Sequence, residues 1–158
     1  MISLIKPMLR DSILNLLDNL SPVMLSKQAI NQLDSLLMMS AELFVATSIK
    51  LVKNNNTKTL SIYHFTNAIR IIFTGELCIN ILKQGDLVMN DDDMNIVFDK
   101  NVFTNILTQT VPKRFRISPD CDKYIAFCME YICKEILELA IAQSSINKSD
   151  VIISEHLL

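Results

Sequence analysis

Residues Tyr124 to Leu158, YIAFCMEYICKEILELAIAQSSINKSDVIISEHLL, decide how this chain folds. At about 100° per residue, Ile125, Met129, Ile132, Ile136 and Leu139 fall within an arc of about 80°. Glu130, Glu135 and Glu138 spread over about 140° on roughly the opposite side. The stretch therefore predicts a long amphipathic helix with an apolar core face. Its carboxylate face is either a solvated surface or a binding surface. The polar run Asn147-Lys148-Ser149-Asp150 ends the helix, the β-type run Val151-Ile152-Ile153 follows, and a further helix begins. The same plan occurs upstream. A long helical pattern ends near Val52, a polar loop covers Asn54 to Lys58, Thr59-Leu60-Ser61 is a short extended segment, and helical periodicity resumes from Tyr63 to Phe73.

Composition agrees with two packed helical units. Hydrophobic residues make up 50% of the 158 and charged residues 20%, enough apolar surface for a sizeable core and too much for a disordered chain. With two glycines and four prolines, tight turns are scarce. The glycine-rich phosphate loops and the nucleophile elbow, which need several glycines, are excluded. The net charge is −2, so overall charge gives no argument for nucleic acid. It is uneven, however: residues 1–90 carry 8 Lys+Arg against 6 Asp+Glu, and residues 91–158 carry 7 against 11. Cys78, Cys121, Cys128 and Cys133 show no CxxC pairing, which fits free thiols in a reducing compartment and no zinc site. The most apolar run, Leu36 to Val52, contains Glu42 and Lys50 and is not expected to cross a membrane. Closely spaced Lys6, Arg10 and Asp11 do not resemble a signal peptide.

The remaining elements follow from apolar spacing and breakers. Ser12 to Leu20 predicts a short helix stopped by Ser21-Pro22. Ser26 caps a helix reaching about Lys53, with Leu33, Leu36, Leu37, Leu43 and Phe44 on one broad face. Ile62 to Phe73 is helical until Thr74-Gly75, and Glu76 to Gln84 forms a short helix ended by Gly85. Asn90 to Asp93 opens an acidic linker too short to separate the halves. Asp99 to Thr108 is a short helix, Gln109 to Ser118 a loop carrying Lys113-Arg114-Phe115-Arg116, and Asp120 to Asn147 the second long helix.

Two groups of residues resemble core histones. Thr59, Ala68, Arg70, Gly75, Glu76 and Leu77, with Gly85 beyond them, are similar to the second loop, third helix and following helix of histone H-two-B. Tyr124, Ala126, Glu130, Tyr131 and the string Glu135-Ile136-Leu137-Glu138-Leu139-Ala140 are similar, without a gap, to the long middle helix of histone H-two-A. Asn147, Lys148, Ile152, Ile153, His156 and Leu157 continue that match; Phe98, Ile106, Leu107 and Arg116 fit its first helix and first loop. In this order the two resemble the fused histone doublets of large DNA viruses.

The resemblance implies an all-α chain of two tandem histone folds clasped as an intramolecular heterodimer, since each fold alone exposes the apolar faces of its long helix. The expected units are 1–89 (H-two-B-like, with a C-terminal helix), an acidic linker 90–97, and 98–158 (H-two-A-like, with its third helix barely begun). In that family the first loop of one half lies beside the second loop of the other and meets DNA phosphates. This places Lys113, Arg114 and Arg116 beside Lys58 and Thr59, with Lys148 at the poorer opposite edge next to Asp150; charge alone would also fit a solvated loop. Where the family inserts minor-groove arginines, this chain has Thr57, Val102 and Val151, so double-stranded DNA binding should be weak and non-specific. Glu130, Glu135 and Glu138 with Glu76 match the family's acidic patch, a receptor for arginine anchors, whereas Gln84 replaces a further glutamate. The implied function is a viral structural chromatin protein that compacts DNA with an H-three/H-four-like partner, in the virion and in the host nucleus or viral factory. The alternative is a histone-fold interaction protein with little DNA wrapping. No enzymatic activity, metal or cofactor is expected, and neither His64 nor His156 is placed as a catalyst.

Overall fold

In the computed structural model, which describes residues 8–91, 95–146 and 151–152, helices are interspersed with two-residue strands. Helix α1 spans Arg10–Leu20, strand β1 Met24–Leu25, helix α2 Lys27–Asn54, strand β2 Thr59–Leu60, helix α3 Ile62–Ile72 and helix α4 Gly75–Asn90. Helix α5 spans Lys100–Thr110, strand β3 Arg116–Ile117, helix α6 Cys121–Ile146 and strand β4 Val151–Ile152. Both strand pairs are parallel and join the two halves: Met24 pairs with Val151 and Leu25 with Ile152, Thr59 with Arg116 and Leu60 with Ile117. An offset of 92 positions carries β1 onto β3 and β2 onto β4, and the last residue of α2 onto the last of α6.

Local chemistry explains the boundaries. Ser26 Oγ accepts from the Ala29 N–H at 3.1 Å and starts α2. Asn56, at φ 54°, takes the left-handed conformation just past the end of α2. Asp99 caps α5 by accepting from the Asn101 N–H at 3.0 Å. The Ser61 N–H donates to His64 Nδ1 at 3.1 Å, which places this buried histidine as the cap of α3.

The long helices α2 and α6 contact each other and carry the core. Leu33, Leu37, Ala41, Val45 and Val52 of α2 are buried, and so are their 92-offset counterparts Ile125, Met129, Cys133, Leu137 and Ser144 of α6. Phe44 lies 5.2 Å from Phe65 of α3 between ring centroids. By length and composition α2 could cross a membrane; in this fold it packs on α3, α5 and α6. Ser12 Oγ of α1 accepts from the Asp99 N–H at 3.1 Å, a further tie between the halves. The four cysteines are free. Burial raises the thiols of Cys128 and Cys133, and pushes that of Cys121, which also faces Asp122 and Asp120, up to about 12.

Several expectations change. Gly85 does not end a helix: α4 continues to Asn90, and the glycine is there because a Cβ would sit 3.0 Å from Tyr124 Cε2. Leu36 and Leu43 are exposed, not on the buried face of α2. Leu139 is 72% exposed; the buried face of α6 turns toward Cys133, Leu137 and Ala140 along its C-terminal half. Strands β1 and β3 fall where only loops were expected. The loop Asn147–Asp150, with Lys148, and the segment from Ile153, with His156 and Leu157, lie outside the described residues.

Candidate nucleic-acid interface and acidic groove

The β2–β3 pair gathers the first set of expected site residues. The Arg116 N–H donates to the Lys58 carbonyl at 2.7 Å, and the Ser118 N–H to the Leu60 carbonyl at 2.8 Å. Thr59 and Arg116 are register partners. A turn closed by the Phe115 N–H on the Pro112 carbonyl, 2.9 Å, projects Lys113 and Arg114 from the same loop. The Arg114 guanidinium lies 5.0 Å from the Phe115 ring centroid, so the half-buried phenyl supports it. Lys58, Thr59, Lys113, Arg114 and Arg116 are all exposed. Their anchors are not: Leu60 and Cys121 are buried, and Cys121 Sγ donates to the Leu60 carbonyl at 3.7 Å. The result is four cations on a fixed backbone platform, suited to a polyanion. Thr57 is exposed, whereas Val102 is buried in the core.

Among the described residues, the β1–β4 edge repeats the backbone without the charge. Met24, which the 92-offset relates to Arg116, is exposed, and Lys27 is the nearest described cation in sequence.

Glu130, Glu135 and Glu138 line one groove of about 370 Å³ between α6 and α4, with Gln84, Tyr131 and Lys134. Glu76 is exposed at the start of α4 and is not among the lining residues. Within the groove the glutamates differ. Glu130 Oε1 accepts from the Val97 N–H at 2.6 Å and the Phe98 N–H at 2.9 Å, so it holds the connector between the halves against α6. Desolvation raises its pKa, outweighing the lowering by those two bonds and by Lys134. Glu135 is half-buried and Glu138 exposed. Burial, and then the charges of Glu135 and Glu138, raise the Tyr131 phenol, a mark of the negative field there. Lys134, one turn after Glu130, was missed from sequence as a groove residue, although its i,i+4 spacing was readable. Among the described residues no group of His, Cys, Asp and Glu could hold a metal ion.

A scan against protein-family models finds no match, and a search of the curated proteins finds none either. Solved structures do match. A histone from Methanopyrus kandleri superposes with a TM-score of 0.63 at 16% identity, over 94% of this chain and 89% of that one. Helix order, paired two-residue strands and this superposition agree: the chain has a histone fold.

Proposed function

We propose that this protein is a structural, non-enzymatic chromatin protein that binds DNA through the β2–β3 edge. The observation that carries the reading is the parallel pairing of Thr59 with Arg116, which collects Lys58, Lys113, Arg114 and Arg116 on one exposed edge of a histone fold. Such an edge neutralises phosphates without reading bases. Pairing of strands between the halves, and a solved histone that spans both of them, support two tandem histone folds clasped within one chain. The residue matches to H-two-B in the first half and H-two-A in the second support a viral histone doublet, working with an H-three/H-four-like partner in the virion and in the nucleus or viral factory.

Reconstitution on DNA with such a partner, followed by nuclease digestion, tests this. A discrete protected fragment longer than the partner alone protects is expected. Protection equal to that of the partner alone would favour the interaction-protein reading. The acidic groove supports that second reading, with Glu135 and Glu138 as the carboxylates left free to take a basic side chain. Replacing both by Ala should leave folding intact and weaken an arginine-bearing peptide; unchanged affinity would make this a merely solvated face.

A further inference from the structure

Among the described residues, two exposed apolar lines are left uncovered. On α2, Leu36, Met39 and Leu43 are between 48% and 68% exposed, and their i, i+3, i+7 spacing puts them on one face. The 92-offset shows what this face lacks. The counterparts on α6 are Cys128, Tyr131 and Glu135; Cys128 is buried and the other two are half-buried beside α4. Helix α4 thus covers a second face of α6, and no described element does the same for α2.

The second line lies on α4 itself. Ile81, Gly85 and Val88 are its buried face, and Gly85 meets Tyr124 of α6. Away from it, Ile79 and Leu87 are 64% and 51% exposed, with exposed Lys83 between them.

The two lines match. Leu36 to Leu43 spans about 10.5 Å and Ile79 to Leu87 about 12 Å at 1.5 Å per residue. Laid antiparallel, Leu87 meets Leu36 and Ile79 meets Leu43. Lys83 then falls beside Met39 and Glu42, and Glu76 falls about one turn from Lys50. All four charged residues are exposed. A parallel arrangement would leave Lys83 at the same level but would also set Asp86 against Glu42.

We propose that the α2 line of one copy of this chain takes the outer face of α4 of a second copy, antiparallel, with Glu42 opposite Lys83. The contact is taken as a single one per pair of copies, so each copy keeps a free donor face and a free acceptor face, and assembly runs head to tail past the dimer. Two short helical lines cover less than the roughly 800 Å² per partner of a stable interface, so association depends on concentration. The inference does not rest on DNA binding.

Sedimentation of the full chain over rising concentration tests it, with Glu42→Lys, Lys83→Glu, the double reversal and Met39→Glu. These side chains are exposed, so the variants should keep the wild-type circular dichroism spectrum. The wild-type average mass should rise steadily past that of a dimer. Each single charge reversal should weaken association about fivefold or more, and the double reversal should restore it. Met39→Glu should abolish it. A mass independent of concentration, a plateau at a dimer, or a double reversal no better than the singles would overturn the proposal.

Discussion

The two strand-paired edges share a backbone and differ in charge. At one, Thr59-Leu60 pairs with Arg116-Ile117 and four exposed cations surround the pair. At the other, Met24-Leu25 pairs with Val151-Ile152, and exposed Met24 stands where the offset would put Arg116. The fold therefore supplies a platform twice, and among the described residues four exposed cations gather at one of the two. A histone fold alone does not fix how many DNA contacts a chain makes.

The most severe way to break the comparison is to reverse Lys113, Arg114 and Arg116 to Glu together. DNA affinity at low salt should fall about a hundredfold or more, whereas Lys148→Glu should change it less than about threefold. Equal losses in a titration of labelled duplex would erase the asymmetry.

The next largest effect is on residues 97 and 98, which Glu130 ties to α6. Glu130→Ala leaves the Val97 and Phe98 N–H groups without their acceptor and should cost about 2 kcal/mol in denaturant unfolding. Glu130→Gln keeps an Oε1 acceptor and carries no charge. Since the folded pKa of Glu130 is raised, its contribution is fully present below the ordinary carboxylate value and is lost as pH rises through the raised one. The Gln variant should therefore be at least as stable as wild type at neutral pH, with the gap closing in acid. A Gln variant as damaged as the Ala variant would mean that the charge, not the acceptor, holds the connector.

A smaller effect concerns His64, whose cap starts α3 directly after β2. Desolvation lowers its pKa, so its contribution is present above the ordinary histidine value of 6.5 and is lost as pH falls through the lowered one. His64→Asn, a non-titrating acceptor, should remove that part of the acid sensitivity in thermal melts. Identical pH profiles for the two proteins would assign the sensitivity elsewhere.

The smallest expected change sharpens the comparison from the poor side. Met24→Arg should gain about fivefold in DNA affinity and steepen its salt dependence by about one unit. No gain would show that the β1–β4 edge is withheld from DNA by more than its missing charge.

Much of this was legible in the sequence. The spacing of Ile125, Met129 and Ile132, the cap Ser26, and the extended runs Thr59-Leu60-Ser61 and Val151-Ile152-Ile153 place the elements because each rests on local chemistry. What failed depends on neighbours remote in the chain. Gly85 reads as a helix stop until Tyr124, far along the sequence, is seen against it. Leu36, Leu43 and Leu139 are as apolar as Leu33 and Leu37, so periodicity alone assigns them to the core, yet only packing decides which face is covered. Glu130 reads as a patch carboxylate like Glu135 and Glu138; its engagement by the connector follows from the tertiary path of residues 95–99. The basic edge was readable only through the histone resemblance, which says which loops meet.

The central claim is that a few cations at one edge hold DNA by its backbone. The most direct test is the salt dependence of affinity for a random-sequence duplex. With four phosphates neutralised by Lys58, Lys113, Arg114 and Arg116, log K against log salt should be linear with a slope of about −3 to −4 and insensitive to sequence. A slope near zero, or no measurable binding at low salt, would contradict the account.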